Sequence, residues 1–324
     1  MVKGVGGWFT VRMLTQVPEG EEPCSGPLDG ATVMARGRGA LRRQDNTLLV
    51  GDLVEVGYDD TSFLTKDEKI LPLEDGTGIS IDRICTRSSA LIRPPMANLN
   101  LLFVTLAVTS PQPVPETVDK LISIAEFNGI EPVVVVTKSE LELTSAERIA
   151  ALYRAAGFDA FCVGEGMDAE LTALSKYVAN AVRGKIAAFS GASGVGKSTL
   201  LNRLFPSLNL ETGEISRRIE RGKNTTRSVE LYPLSDEADC GFLADTPGFT
   251  MLDFERFDFF EKEALPETFR EFRPYIGQCR YTKCSHTKEE GCAILEAVKE
   301  GKIARSRHRS FLSLYEVLKK KTKW

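Results

Sequence analysis

The hydrophobic pattern changes character near residue 92. Before it, short alternating or β-rich runs at 8–14, 31–35, 48–56 and 78–84 are separated by clusters of Gly, Pro, Asp and Glu. Several short strands at that spacing predict a small all-β barrel or sandwich. Arg93-Pro94-Pro95 marks a break, because proline continues neither helix nor sheet. From Leu99 onward, apolar runs alternate with amphipathic ones. The pattern predicts strands at 101–108, 132–136 and 186–189, and helices at 115–127, 145–156, 171–182 and 198–204. Strands apolar on both faces, set between helices, indicate a parallel sheet covered on both sides. One more strand is expected at 240–244, after which the chain reads as helical and charged around a cysteine cluster.

Length and composition narrow the class. A chain of 324 residues exceeds one compact core and implies two or three domains. Residues 1–14 hold no apolar run that could serve as a signal peptide, and 99–108 is too short for a bilayer, which needs roughly 20 residues. A cytoplasmic protein with no membrane partner is expected. Seven cysteines, three of them crowded into 279–292, argue for a reducing compartment with one metal site and against a disulfide framework. The net charge of -4 means that any RNA contact must come from local basic patches.

Gly191-Ala192-Ser193-Gly194-Val195-Gly196-Lys197-Ser198 fits the phosphate-loop pattern at every fixed position, between a predicted strand and a predicted helix continuing through Thr199. Its glycines let backbone N–H groups turn toward phosphate oxygens, and the helix N-terminus adds partial positive charge. Lys197 is expected to reach the β- and γ-phosphates, and the Ser198 hydroxyl to coordinate Mg²⁺. About fifty residues on, the strand at 240–244 ends in Asp245-Thr246-Pro247-Gly248. This D-x-x-G places an acid near Mg²⁺ and the Gly248 N–H near the γ-phosphate. In the loop between, Thr225 or Thr226 is expected to ligate the metal, with Asn224 beside them.

A guanine reader of the [NT]-K-x-D kind is absent downstream of Asp245. Upstream, directly after the strand at 132–136, stands Thr137-Lys138-Ser139-Glu140. The C-terminal end of a parallel strand is where an open α/β sheet binds ligands. The motif order is therefore base reader, phosphate loop, D-x-x-G. Glu140 replaces the usual Asp and reaches about 1.5 Å further, so either guanine selectivity is weaker or the loop adjusts. Residues 161–166 occupy the region of the second base-contacting loop without matching its usual Ser-Ala form.

Cys279, Cys284, His286 and Cys292 offer three thiolates and one imidazole within fourteen positions, a set suited to one closed, structural Zn²⁺ site. Arg36, Arg38, Arg42 and Arg43 form one basic patch; Lys302, Arg305, Arg307, His308 and Arg309 form another; Lys319, Lys320, Lys321 and Lys323 end the chain. Each reads as a solvated face or a backbone contact for RNA.

In its motif order, its barrel and its cysteine tail, the chain resembles the ribosome small-subunit-dependent GTPase A family. The likeness includes Arg36-Gly37-Arg38-Gly39 with Leu41-Arg42, Val50-Gly51-Asp52, and Arg93-Pro94 with Ala97-Asn98. It implies an OB-fold RNA-binding domain at 1–92, a circularly permuted α/β P-loop GTPase at 93–252, and a small, mostly helical zinc-binding domain at 253–324. It also implies that the chain binds GTP or GDP and the small ribosomal subunit with its rRNA, acts in late subunit maturation, and is stimulated by that subunit. A monomer is expected. The family commonly has His at the place of Asn224, and Phe249 stands where Ras-like enzymes keep a water-orienting glutamine, so slow intrinsic hydrolysis is expected. Two rival readings stay open: a non-hydrolysing, nucleotide-gated RNA-binding module and a P-loop ATPase.

Overall fold

A computed structural model describes residues 1–14, 31–39, 47–58, 63–66, 69–72, 78–91, 95–206, 229–234, 241–245 and 261–320. They form two compact units. One comprises 1–100, 179–188 and 213–247; the other comprises 101–178, 189–212 and 248–324.

Along the chain, the strands of the first ninety-odd residues are β1 (Lys3–Val5), β2 (Trp8–Arg12), β3 (Thr32–Gly37), β4 (Val54–Gly57), β5 (Phe63–Lys66), β6 (Lys69–Pro72), β7 (Ser80–Ile84), β8 (Ala90–Leu91) and β9 (Met96–Ala97). Next come β10 (Leu99–Ala107), α1 (Pro115–Phe127), β11 (Glu131–Thr137), α2 (Leu143–Ala155), β12 (Asp159–Cys162), α3 (Asp168–Ala181), β13 (Ile186–Ser190) and α4 (Lys197–Leu204). β14 (Glu230–Pro233), β15 (Phe242–Asp245), α5 (Ala293–Lys299) and α6 (Arg305–Lys319) complete the set.

In the first unit the strand order is β13, β15, β14, β1, β2, β3, β7, β4. β1, β2 and β3 pair antiparallel, β3 pairs parallel with β7, and β7 returns antiparallel to β4. Alternation explains the core beneath them: Val11, Val33, Ala35, Ile79 and Ile81 point inward together with Met1. Sequence reading misses β1 and β14, which are three and four residues long and carry no period to detect.

The second unit holds the parallel ladder β10–β11–β12, in register from Leu101↔Glu131 to Ala107↔Thr137 and from Val133↔Asp159 to Val136↔Cys162. Val133 to Val136 are fully buried, as expected for a central strand covered on both faces. The hydrophobic pattern does not predict β12, since its four residues bury only alternate positions. Behind this sheet α6 packs on α1. Arg307, 1% exposed, donates to Glu271 Oε1 at 2.7 Å and to Asp119, which also accepts from the Tyr153 hydroxyl at 3.0 Å. Its guanidinium lies 4.6 Å from the Phe269 ring centre. Nearby, Arg270 bridges Glu126 (2.6 Å) and Glu131 (2.7 Å), and Arg273 meets Glu126 at 2.5 Å.

Candidate functional site

β13 delivers the chain into the phosphate loop. A Cβ on Gly191 would stand 2.1 Å from the Thr105 carbonyl oxygen, and φ is +155°, so only glycine fits this approach to β10. Gly194 and Gly196 take φ of +78° and +93°, and Gly196 caps α4. Ala192, Ser193, Gly194 and Thr199 are exposed, Ser198 is half-buried, and Val195 is buried and anchors the loop. Lys197 opens α4 and folds back over the loop, donating to the carbonyls of Gly191 (2.6 Å) and Ala192 (2.9 Å). Burial pulls its pKa down from the ordinary lysine value. A glycine-rich turn feeding a helix N-terminus under an ammonium group is an anion cradle.

The end of β11 closes on that loop. The buried Thr137 hydroxyl has the carbonyls of Leu106 (3.1 Å) and Val195 (2.5 Å) within hydrogen-bond reach. Lys138 adopts left-handed backbone, φ +55°, which aims its ammonium at the Gly194 carbonyl (2.9 Å) and the Ser110 carbonyl. Residues 58 and 56 positions apart are thereby tied together. Ser139 is buried, its N–H donating to the Val163 carbonyl at 3.1 Å and its hydroxyl to the Val136 carbonyl at 2.9 Å. Glu140 is exposed at the rim. Facing it is the loop after β12, whose Gly164 carbonyl accepts a hydrogen bond from Arg203 at 2.7 Å. Arg203 also meets the Asp168 carboxylate at 3.2 Å. Sequence reading passes over Arg203, because a lone cation in the last turn of a helix reads as a partner of the helix dipole.

Asp245 ends β15, which runs parallel to β13 from Ile186↔Phe242 to Ala188↔Ala244. Thr225, Thr226 and Gly248, with Asn224 and Phe249, lie outside the described residues.

Cys279, Cys284, His286 and Cys292 place their ligand atoms within 4.8 Å of one another. The Cys279 and Cys292 sulfurs are 3.8 Å apart, and each is 3.5 Å from His286 Nδ1. Tetrahedral bonds of about 2.3 Å to sulfur and about 2.05 Å to nitrogen require separations of about 3.8 Å and about 3.6 Å. Cys279, His286 and Cys292 are thus spaced for a tetrahedral metal ion, with Cys284 near enough to be the fourth ligand. Burial, with the neighbouring Cys292 and Cys279, pushes the Cys284 thiol up to about 12, and burial chiefly pulls His286 down. A cation would favour the thiolates and the neutral imidazole. The loop carrying these ligands is pinned by Glu289, which accepts from the N–H groups of Ser285 (2.9 Å), Thr287 (3.0 Å) and Lys288 (3.1 Å). Burial opposes its charge, but the Ser285 hydroxyl and the backbone N–H groups outweigh it and hold the carboxyl at about 2. The His286 carbonyl lies 2.9 Å from His308 Nε2.

That last contact corrects the reading of the second basic patch. Arg307 and His308 face inward, the first to buried carboxylates and the second to the metal-cluster loop, so neither can meet RNA. Arg305 and Arg309 remain exposed, and Lys302 pairs with Glu300 at 2.7 Å. In the first patch Arg36 lies over the Trp8 ring at 3.7 Å and Arg38 pairs with Asp82 at 2.9 Å. Arg42, Arg43, Lys321 and Lys323 lie outside the described residues.

The profile of the RsgA GTPase family matches residues 84–255. A curated relative from Alkaliphilus metalliredigens, named small ribosomal subunit biogenesis GTPase RsgA, is 35% identical across 100% of this chain and 98% of its own. The chain belongs to the RsgA GTPase family. A second RsgA relative, from Caldanaerobacter subterraneus, is 37% identical across 100% of this chain and 96% of its own. Among solved structures, YjeQ from Thermotoga maritima aligns with a TM-score of 0.71 at 26% identity, covering 90% of this chain and 92% of that one. YloQ, described as a circularly permuted GTPase, aligns at 0.69 with 25% identity, covering 100% and 95%. The permuted order expected from the motifs is therefore the RsgA fold, and the chain is a GTP hydrolase of that family. Family membership sets the ATPase reading aside. Among the described residues, no helix is long and apolar enough to cross a membrane.

Proposed function

We propose that this chain binds the small ribosomal subunit and hydrolyses GTP during its late maturation in the cytoplasm. The observation that carries the reading is the closure of Thr137 and Lys138 onto Val195 and Gly194, which joins the base-reading and phosphate-binding motifs at one corner despite their permuted order. Thr137, Lys138, Ser139 and Glu140 read the base, and Gly191 to Thr199 cradle the phosphates. Lys197 exchanges its loop carbonyls for β- and γ-phosphate oxygens and stabilises the charge that develops as water attacks. Ser198, with Thr225 or Thr226 and with Asp245 through water, would hold Mg²⁺, which would supply positive charge against the phosphates. Gly248 would sense the γ-phosphate.

Three functional parts follow: 1–92, 93–252 and 253–324. In the first, an antiparallel β1–β2–β3 run with a parallel step to β7 and a return to β4 supports an OB-type barrel for rRNA. In the last, the sulfur and nitrogen spacings support zinc as the resident ion, and the complete ligand set favours a structural role. We take the working unit to be a monomer.

The test is GTP turnover by the purified protein, alone and with isolated small ribosomal subunits. Strong stimulation is expected, and Lys197→Ala should remove roughly a hundredfold or more of it. Tight guanine-nucleotide binding without stimulation would instead favour a non-hydrolysing switch.

A further inference from the structure

The guanine reader of this chain carries one methylene too many, and the fold around it is shaped accordingly. We propose that Gly164 is a specificity-determining residue of the base site: its missing side chain is the space that the Glu140 carboxylate occupies. The inference rests on Glu140 being the carboxylate that accepts from guanine N1 and N2.

A Cβ built on Gly164 would lie 2.0 Å from Glu140 Oε2, 3.1 Å from its Cδ and 2.9 Å from its backbone nitrogen. Gly164 is absent from the glycines with positive φ, so its backbone is one that alanine adopts without strain. Glu140 is therefore the obstacle to a side chain there. Nor can the two loops drift apart to make room. The Val163 N–H donates to the Val136 carbonyl at 2.8 Å, and the Ser139 N–H donates to the Val163 carbonyl at 3.1 Å. Arg203 holds the Gly164 carbonyl itself at 2.7 Å.

A methyl group at Gly164 thus has two ways to be accommodated. The carboxylate swings away, or the Glu140 backbone shifts. Each takes the carboxylate off the position at which it meets the base. Arg203 is a positioning residue in this scheme. It sits on α4, whose first residues, Lys197 and Ser198, serve the phosphates, so one short helix sets both ends of the nucleotide corner.

The experiment uses the full chain and three probes: GDP, xanthosine diphosphate and tripolyphosphate. Gly164→Ala should bind GDP about tenfold more weakly, while tripolyphosphate, which lacks a base, binds as before. Adding Glu140→Asp to it withdraws the carboxylate and should recover at least about threefold in GDP affinity. The proposal is overturned if Gly164→Ala binds GDP as tightly as the parent, or if the double variant is no better than the single. Should Gly164→Ala lose tripolyphosphate as well, the double variant decides: recovery of both probes supports the proposal, and loss of both sinks it. Glu140→Gln tests the reading beneath. Its amide offers a donor where guanine N2 also donates, so preference should move from GDP toward xanthosine diphosphate, whose ring carries an oxygen there. An unchanged preference would remove Glu140 as base reader, independently of the Gly164→Ala result.

Discussion

β11 and the cysteine segment 279–292 lie in the same unit and are ordered by opposite means. β11 buries Val133, Val134, Val135 and Val136 completely and owes its place to apolar area and a two-sided parallel ladder. Between residues 279 and 292 only His286 and Cys292 are buried. That segment has almost no apolar area to withdraw from water, so its order comes from ligand geometry and the Glu289 hydrogen bonds. Apolar burial is divisible, since each methyl adds its own increment. Metal coordination is not, because three ligands hold the ion far less well than four. The α1–α6 seam is a third case, in which an ionic network anchored by Arg307 stands where a hydrophobic contact would serve.

The comparison can be broken most severely at the metal. Cys279→Ser should drop metal content from one ion per chain toward none, forfeiting part of the roughly 10 kcal/mol that a complete structural site contributes. Amide exchange should then accelerate across 279–303 and stay slow across 131–137; equal acceleration in both would show that the segment is not ordered separately. Next comes Arg307→Ala, which leaves Asp119 and Glu271 buried without a counter-charge. About 3–5 kcal/mol of stability should be lost in denaturant titration. Val134→Ala removes two methyl groups from a tight core and should cost about 2 kcal/mol, with the transition still cooperative.

What the sequence discloses follows the same division. β11 is legible because an unbroken valine run has few other uses, and the phosphate loop because its glycine spacing serves one purpose. The metal cluster is legible from ligand chemistry alone. β12 is hidden by its shortness and by the exposed Asp159 at its start. Arg307 misleads for a deeper reason: it reads as part of a basic face, yet its partners Asp119 and Glu271 stand 188 and 36 positions upstream. A cation's destination is settled by carboxylates that no local window contains. Gly164 and Arg203 are invisible on the same grounds, since their meaning lies in Glu140 and in a carbonyl reached only after folding.

The permuted order of the nucleotide motifs also has a consequence in time. A chain leaving the ribosome N-terminus first exposes Thr137 and Lys138 well before the loop that receives them, which follows 58 and 56 positions later. At synthesis rates of about 5–20 residues per second, that delay is several seconds. During it the nascent β11 holds a base-reading end without a phosphate cradle, so the growing chain cannot yet sequester nucleotide. Competence to bind can arrive only after Gly191 to Thr199 have emerged and Thr137 and Lys138 have closed on Val195 and Gly194.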